Sequence, residues 1–155
     1  SLVDEWENAG TDTDASEAAA NLAAPGAKQA VVEDRRGLTV LVRNAMFRRV
    51  QLMDLDKPDE LGALDKDWGY GVHEWEDTLD DYYDEHEYVN IDAKARSGEL
   101  FILDESKENS EHSWKVRQII DDSDGDHDWA ITGTVDLDTT QSSGEVVFFD
   151  YSVSN

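Results

Sequence analysis

Cysteine is absent from this chain of 155 residues, which excludes disulfides, thiolate metal ligands and cysteine nucleophiles together. Cations are scarce. Thirteen lysines and arginines face 37 aspartates and glutamates, for a formal net charge of -24 and a pI near 4.1. So anionic a surface repels phosphates and acidic lipid headgroups, so direct nucleic-acid binding is disfavoured and no membrane partner is expected. No apolar run approaches the ~20 residues that span a bilayer, and no signal peptide opens the chain. A soluble, cytoplasmic protein is expected. Also missing are a G-x-x-x-x-G-K-[ST] phosphate loop, a G-x-G-x-x-G turn and a G-x-S-x-G nucleophile elbow, so the chain carries no motif for ATP hydrolysis or serine chemistry. It opens "SLVDEW", without methionine, as expected of a fragment of a longer protein.

What is present is core-forming material. Hydrophobic residues make up 39% of the chain and aromatics 9%, with five tryptophans, enough for one domain with a true core. Residues 1–34 stand apart: "TDTDASEAAANLAAPGAK" is acidic and alanine-rich and ends in the breaker Pro25-Gly26. Asp14 and Glu17 form a capping pair for a short helix over Ala15 to Ala24 whose one large apolar residue is Leu22. This segment is expected to be a tether, and residues 35–155 a single α+β domain.

Within that domain the period is first helical and then alternating. "GLTVLVRNAMFRRVQLMD" places Leu38, Leu41/Val42, Ala45, Val50 and Met53 on one helical face, with Arg43, Arg48 and Arg49 on the rest. A buried strand over "LTVLV" is the rival, and length favours the helix. Pro58 suits the first turn of a short helix ending near Leu64. Val72, Trp75, Leu79, Tyr82, His86 and Val89 recur at helical spacing. From "ELFILDE" onward, "SWKVRQIID", "DWAITGTVDLD" and "GEVVFFDYSVS" alternate or run apolar as strands do. The pattern predicts N-terminal helices on one face of a three- to four-stranded antiparallel meander.

The stretch "DDSDGDHDW", Asp121 to Trp129, lies between two alternating runs. A calcium-hand loop beginning at Asp122 requires glycine at its sixth position and glutamate at its twelfth; His127 and Gly133 stand there. Asp124-Gly125 is a strong turn pair. His127 has acids on both sides, but strand neighbours point to opposite faces, so adjacency does not make a catalytic dyad. The stretch is expected to be a hairpin turn. "HEWED", His73 to Asp77, lacks the second histidine of a zinc-protease helix, and no metal is expected there.

Arg35, Arg36, Arg43, Arg48 and Arg49 crowd five of the thirteen cations into fifteen positions. One reading is a strip that contacts a partner or phosphate. The other is that this helix lies against the acidic helix of residues 72–89 and neutralises it.

The strings "LVRNAMFRRVQL", "DELGALD", "LDDYYDEH", "SWKVRQIIDDSDGDHDWAITGTVDLD" and "SLVDEWE" together resemble the C-terminal domain of unknown function of actinobacterial superfamily 2 (DEAD/DEAH-type) ATP-dependent helicases. The likeness runs from about Arg36 to the end of the chain. It implies a parent whose motor lies upstream, so ATP and magnesium belong to that parent, and no catalytic, cofactor or metal residue carries over. The order of elements also resembles the nuclear-transport-factor-2-like (NTF2-like) cone. The reading that follows is a non-catalytic accessory domain docking on the motor core in cis or on a protein partner. The alternative is a cone that binds or converts a small molecule, with Trp114, His127, Trp129 and Tyr151 as pocket residues.

Overall fold

A computed structural model describes residues 35–155; the expected tether and its short helix lie outside them. Helix α1, Arg35–Asp54, buries Leu38, Val42, Met46, Phe47, Val50, Leu52 and Met53. Their three-and-four spacing overrides the β-favouring character of "LTVLV", because one apolar stripe can then be buried along five turns. Asp56 turns the chain at φ 54°, and α2, Pro58–Asp65, starts with proline in its first turn, where no N–H is needed.

A 3-10 turn, Lys66–Trp68, leads to α3, Val72–Glu85. A side chain at Gly62 of α2 would bring its Cβ to 2.4 Å from the Val72 backbone nitrogen, so glycine is what lets α2 and the start of α3 meet. The Gly71 N–H donates to Glu74 Oε1 (2.9 Å), closing the first turn of α3. Trp75, Thr78, Leu79 and Tyr82 face inward. The helix stops one residue before His86, earlier than the spacing suggested. His86 is extended, and Val89 makes an isolated antiparallel bridge to Asp122. Both are buried, as a helical reading requires, but by extended chain.

The sheet has four strands: β1, Phe101–Asp104; β2, Ser113–Ile119; β3, Ala130–Asp136; and β4, Phe148–Ser154. All neighbours are antiparallel and their order follows the chain, so the sheet is an open meander. Phe101, Gln118, Ile131 and Val153 form one row across it, and Ile102, Arg117, Thr132 and Ser152 the next. Gln118, Ile131 and Val153 are buried, whereas Ile102, Arg117 and Ser152 are exposed. One face therefore joins the helices in a common core and the other faces water. The domain is α+β, with its helices on one face of a four-stranded meander.

Two short helices lie in the connections, α4, Glu108–Glu111, and α5, Leu137–Ser143. Asp136 caps α5, accepting from the Thr139 N–H at 3.1 Å. Among the described residues no helix is long and apolar enough to cross a membrane.

Candidate functional site

The acidic stretch does join β2 to β3, and it is organised by Asp122. This buried carboxylate accepts the backbone N–H of Asp124 (2.9 Å) and Asp126 (3.0 Å) on Oδ1, and that of His127 (2.7 Å) on Oδ2. Gly125 and His127 adopt φ of 73° and 54°, which curls the loop around it. Burial would raise the Asp122 carboxyl, but these N–H groups and the charge of His86 outweigh it and hold it below the ordinary value. His127 pairs through Nε2 with Asp121 Oδ1 at 2.8 Å, not with the aspartates on either side of it.

The partner that closes the loop comes from the end of α3. His86 Nδ1 lies 2.7 Å from Asp124 Oδ2, and its Nε2 lies 3.2 Å from Asp128 Oδ1. A neutral imidazole has one N–H, so two carboxylate partners select the doubly protonated ring. Burial works against that charge, but the bonds to Asp124 and Asp128 and the nearby Asp122 outweigh it and raise the His86 pKa. The side chain exposes only 3% of its surface, shielded by one layer of loop rather than by depth. Ligand-type atoms of His86, Asp122, Asp124 and Asp126 lie within 4.8 Å of one another. The hydrogen bonds already made account for His86, Asp122 and Asp124 as a clasp. Neither nitrogen of His86 is open to a substrate.

A second carboxylate organises the interior. Asp65, fully buried at the end of α2, accepts five hydrogen bonds: Arg49 Nε (3.2 Å), Arg49 Nη2 (2.8 Å), Trp68 Nε1 (2.9 Å), Trp75 Nε1 (3.1 Å) and the Tyr151 hydroxyl (2.7 Å). Arg49 is thus a buried ion-pair member, contrary to its expected place on the polar side of α1. Burial opposes its charge, but Asp65 outweighs that and raises its pKa. Burial and the charge of Asp65 likewise push the Tyr151 hydroxyl up, so it donates as a neutral phenol.

The residues expected to line a cone pocket are bracing groups instead. Trp114 Nε1 donates to Glu108 (2.8 Å), Trp129 Nε1 to Glu85 (3.0 Å), and Tyr151 belongs to the Asp65 cluster. All three are buried in the common core, because their alternating positions face the helices, and His127 is held in the loop.

The basic strip is divided in the structure. Arg35 pairs with Glu105 and Glu108, Arg48 stands 3.9 Å from Glu60, and Arg49 is buried on Asp65. Arg36 is exposed near the start of α1. Their carboxylate partners lie in α2 and near α4, so α1 does not neutralise α3 as one reading proposed. Arg43 is different again. Its Nη2 donates to the Arg96 carbonyl (2.9 Å), its guanidinium lies 5.6 Å from the Phe101 ring centre, and among the described residues it meets no carboxylate.

Arg96, which sequence reasoning missed, stacks 4.6 Å from the Phe47 ring centre and donates to Asn44 Oδ1 (3.3 Å). It lies 53 residues from Arg43 in the chain, with no local signal to join them. The outer face of α3 keeps its charge: Asp77, Asp80, Asp81 and Asp84 are exposed and have no cationic partner among the described residues. Beside it, Asp56, Pro58, Glu76, Asp77, Leu79 and Asp80 line an open groove.

Residues 1–153 match the family model described as a domain of unknown function, DUF3516. No curated protein and no solved structure matches the chain.

Proposed function

The chain belongs to the DUF3516 family of domains, and from that premise we propose that it is a non-catalytic accessory domain of an ATP-dependent helicase. It docks on the motor core, or on a partner protein, through the acidic face of α3. The observation that carries this reading is the row Asp77, Asp80, Asp81 and Asp84, exposed and without a cationic partner among the described residues. A folded domain that leaves such a row unpaired bears self-repulsion that a cationic surface would relieve. A helicase motor, which must hold a nucleic-acid backbone, has such a surface. Helicase parentage itself rests on the sequence resemblance described above.

A non-catalytic role is supported by the use of the strongest Asp and His groups as braces. Asp65, Asp122 and His86 are each enclosed by partners that leave no approach for a substrate. Charge-driven docking speeds association and fades with salt. The triple variant Asp80→Asn, Asp81→Asn, Asp84→Asn should bind the parent's motor core about tenfold more weakly at low salt, and the difference should shrink as salt rises. Equal affinities of variant and parent chain at low salt would sink this reading.

The alternative, an NTF2-like cone that binds or converts a small molecule, is favoured by a different observation. A cavity of about 210 Å³ opens between α1 and the inner face of the sheet.

A further inference from the structure

That cavity is lined by Val40, Arg43, Asn44 and Phe47 from α1, by Arg96, and by Gln118 of β2. In a chain with 37 acidic side chains and thirteen lysines and arginines, two arginines meet at one opening, and neither touches a carboxylate among the described residues. Aromatic rings hold them instead. Arg96 lies over Phe47 and Arg43 over Phe101, at 4.6 and 5.6 Å from the ring centres, within the range of cation–π attraction. The Arg43 bond to the Arg96 carbonyl and the Arg96 bond to Asn44 fix the two relative to each other. Gln118 is anchored at the floor by donating to the Leu100 and Ile119 carbonyls, at 3.2 Å each.

We propose that this cavity is a binding site for a phosphate-type oxyanion carried by a small molecule. A guanidinium has five N–H donors in a planar fork, and each of these two uses one in a hydrogen bond within the protein. The remaining edges, with the Asn44 amide, match the several acceptor oxygens of a tetrahedral anion. Stacking on rings orders both side chains beforehand, so an anion has little left to organise. Among the described residues no carboxylate competes for them. The volume of about 210 Å³ admits a phosphate and a few further atoms, while the net charge of -24 opposes a polyanion such as RNA. The site stands apart from α3 and holds whether or not α3 docks on a motor.

The test uses the whole chain and inorganic phosphate as probe, at an ionic strength held constant with sodium chloride. Backbone amide NMR should show saturable shifts confined to the region of residues 40–47 and 96–101. Arg43→Gln and Arg96→Gln should each weaken phosphate binding about tenfold. Arg96→Lys keeps the charge but loses the fork, and should fall between. Both arginines are exposed, and unchanged amide spectra elsewhere would establish that the variants fold. A parallel titration uses a short single-stranded RNA. Shifts that do not saturate, or that persist in both glutamine variants, would overturn the site. So would RNA that binds these residues where phosphate does not.

Discussion

Asp65 and Asp122 are both carboxylates withdrawn from water, and both are saturated with donors, yet they hold different things. Asp65 gathers side chains from α1, the turn after α2, α3 and β4. Asp122 gathers the backbone of its own loop, within five residues, and the side chain of His86, just past the end of α3, lies beside it. The first is a long-range junction that the whole fold closes around. The second is a local clasp on one connection. The contrast teaches that burial and bond count do not tell how far the loss of a carboxylate is felt; the sequence distance of its donors does.

The most severe break should come from Asp65→Ala. It leaves Arg49 charged, buried and unpaired, and orphans two indole N–H groups and a phenol, a loss of about 3–5 kcal/mol by analogy with broken buried pairs. Urea unfolding should show it as a lower midpoint for the entire domain. Asp122→Ala should cost about 1–3 kcal/mol, because the freed N–H groups can reach water once the loop opens. Hydrogen exchange should then quicken at Asp124, Asp126 and His127 while the paired strands stay protected. Loss of protection across the sheet would show that the clasp supports more than its loop.

The smallest effect is a dependence on pH. The raised pKa of His86 means that its contribution is complete below the ordinary 6.5 and fades as pH rises through the folded value. The lowered pKa of Asp122 means that its contribution is complete above the ordinary 3.8 and is lost as pH falls through its folded value. The clasp should therefore be tightest between those two ordinary values. His86→Gln should flatten the alkaline side of the profile, measured by urea midpoints across pH. An alkaline limb unchanged in that variant would remove His86 as its source.

The elements themselves were legible. Trp114, Val116 and Gln118 alternate because they share the inner face of β2, and buried Ile120 continues the row just past its end; Asp124-Gly125 marked the turn. Residues 108–111 and 137–143 formed helices too short to show a period, although Asp136 is a capping residue by type. What stayed hidden was contact across distance. His86 meets a loop 38 residues later, and its helical spacing concealed that it leaves the helix. Arg49 looked like its exposed neighbour Arg48, and only the position of Asp65 separates them. Periodicity reports which face a residue occupies, and it carries nothing about which distant partner waits there.

The bond from Tyr151 to Asp65 spans 86 residues, and this sets an order of events during synthesis. Helices α1 to α3 and their apolar stripes emerge from the ribosome first, and Asp65 can collect Arg49, Trp68 and Trp75 at that stage. The last acceptor position stays open until Tyr151 of β4 has emerged. Until then the nascent domain holds a partly satisfied charge at its centre and an exposed strand edge on β3, so completion of the fold waits for β4.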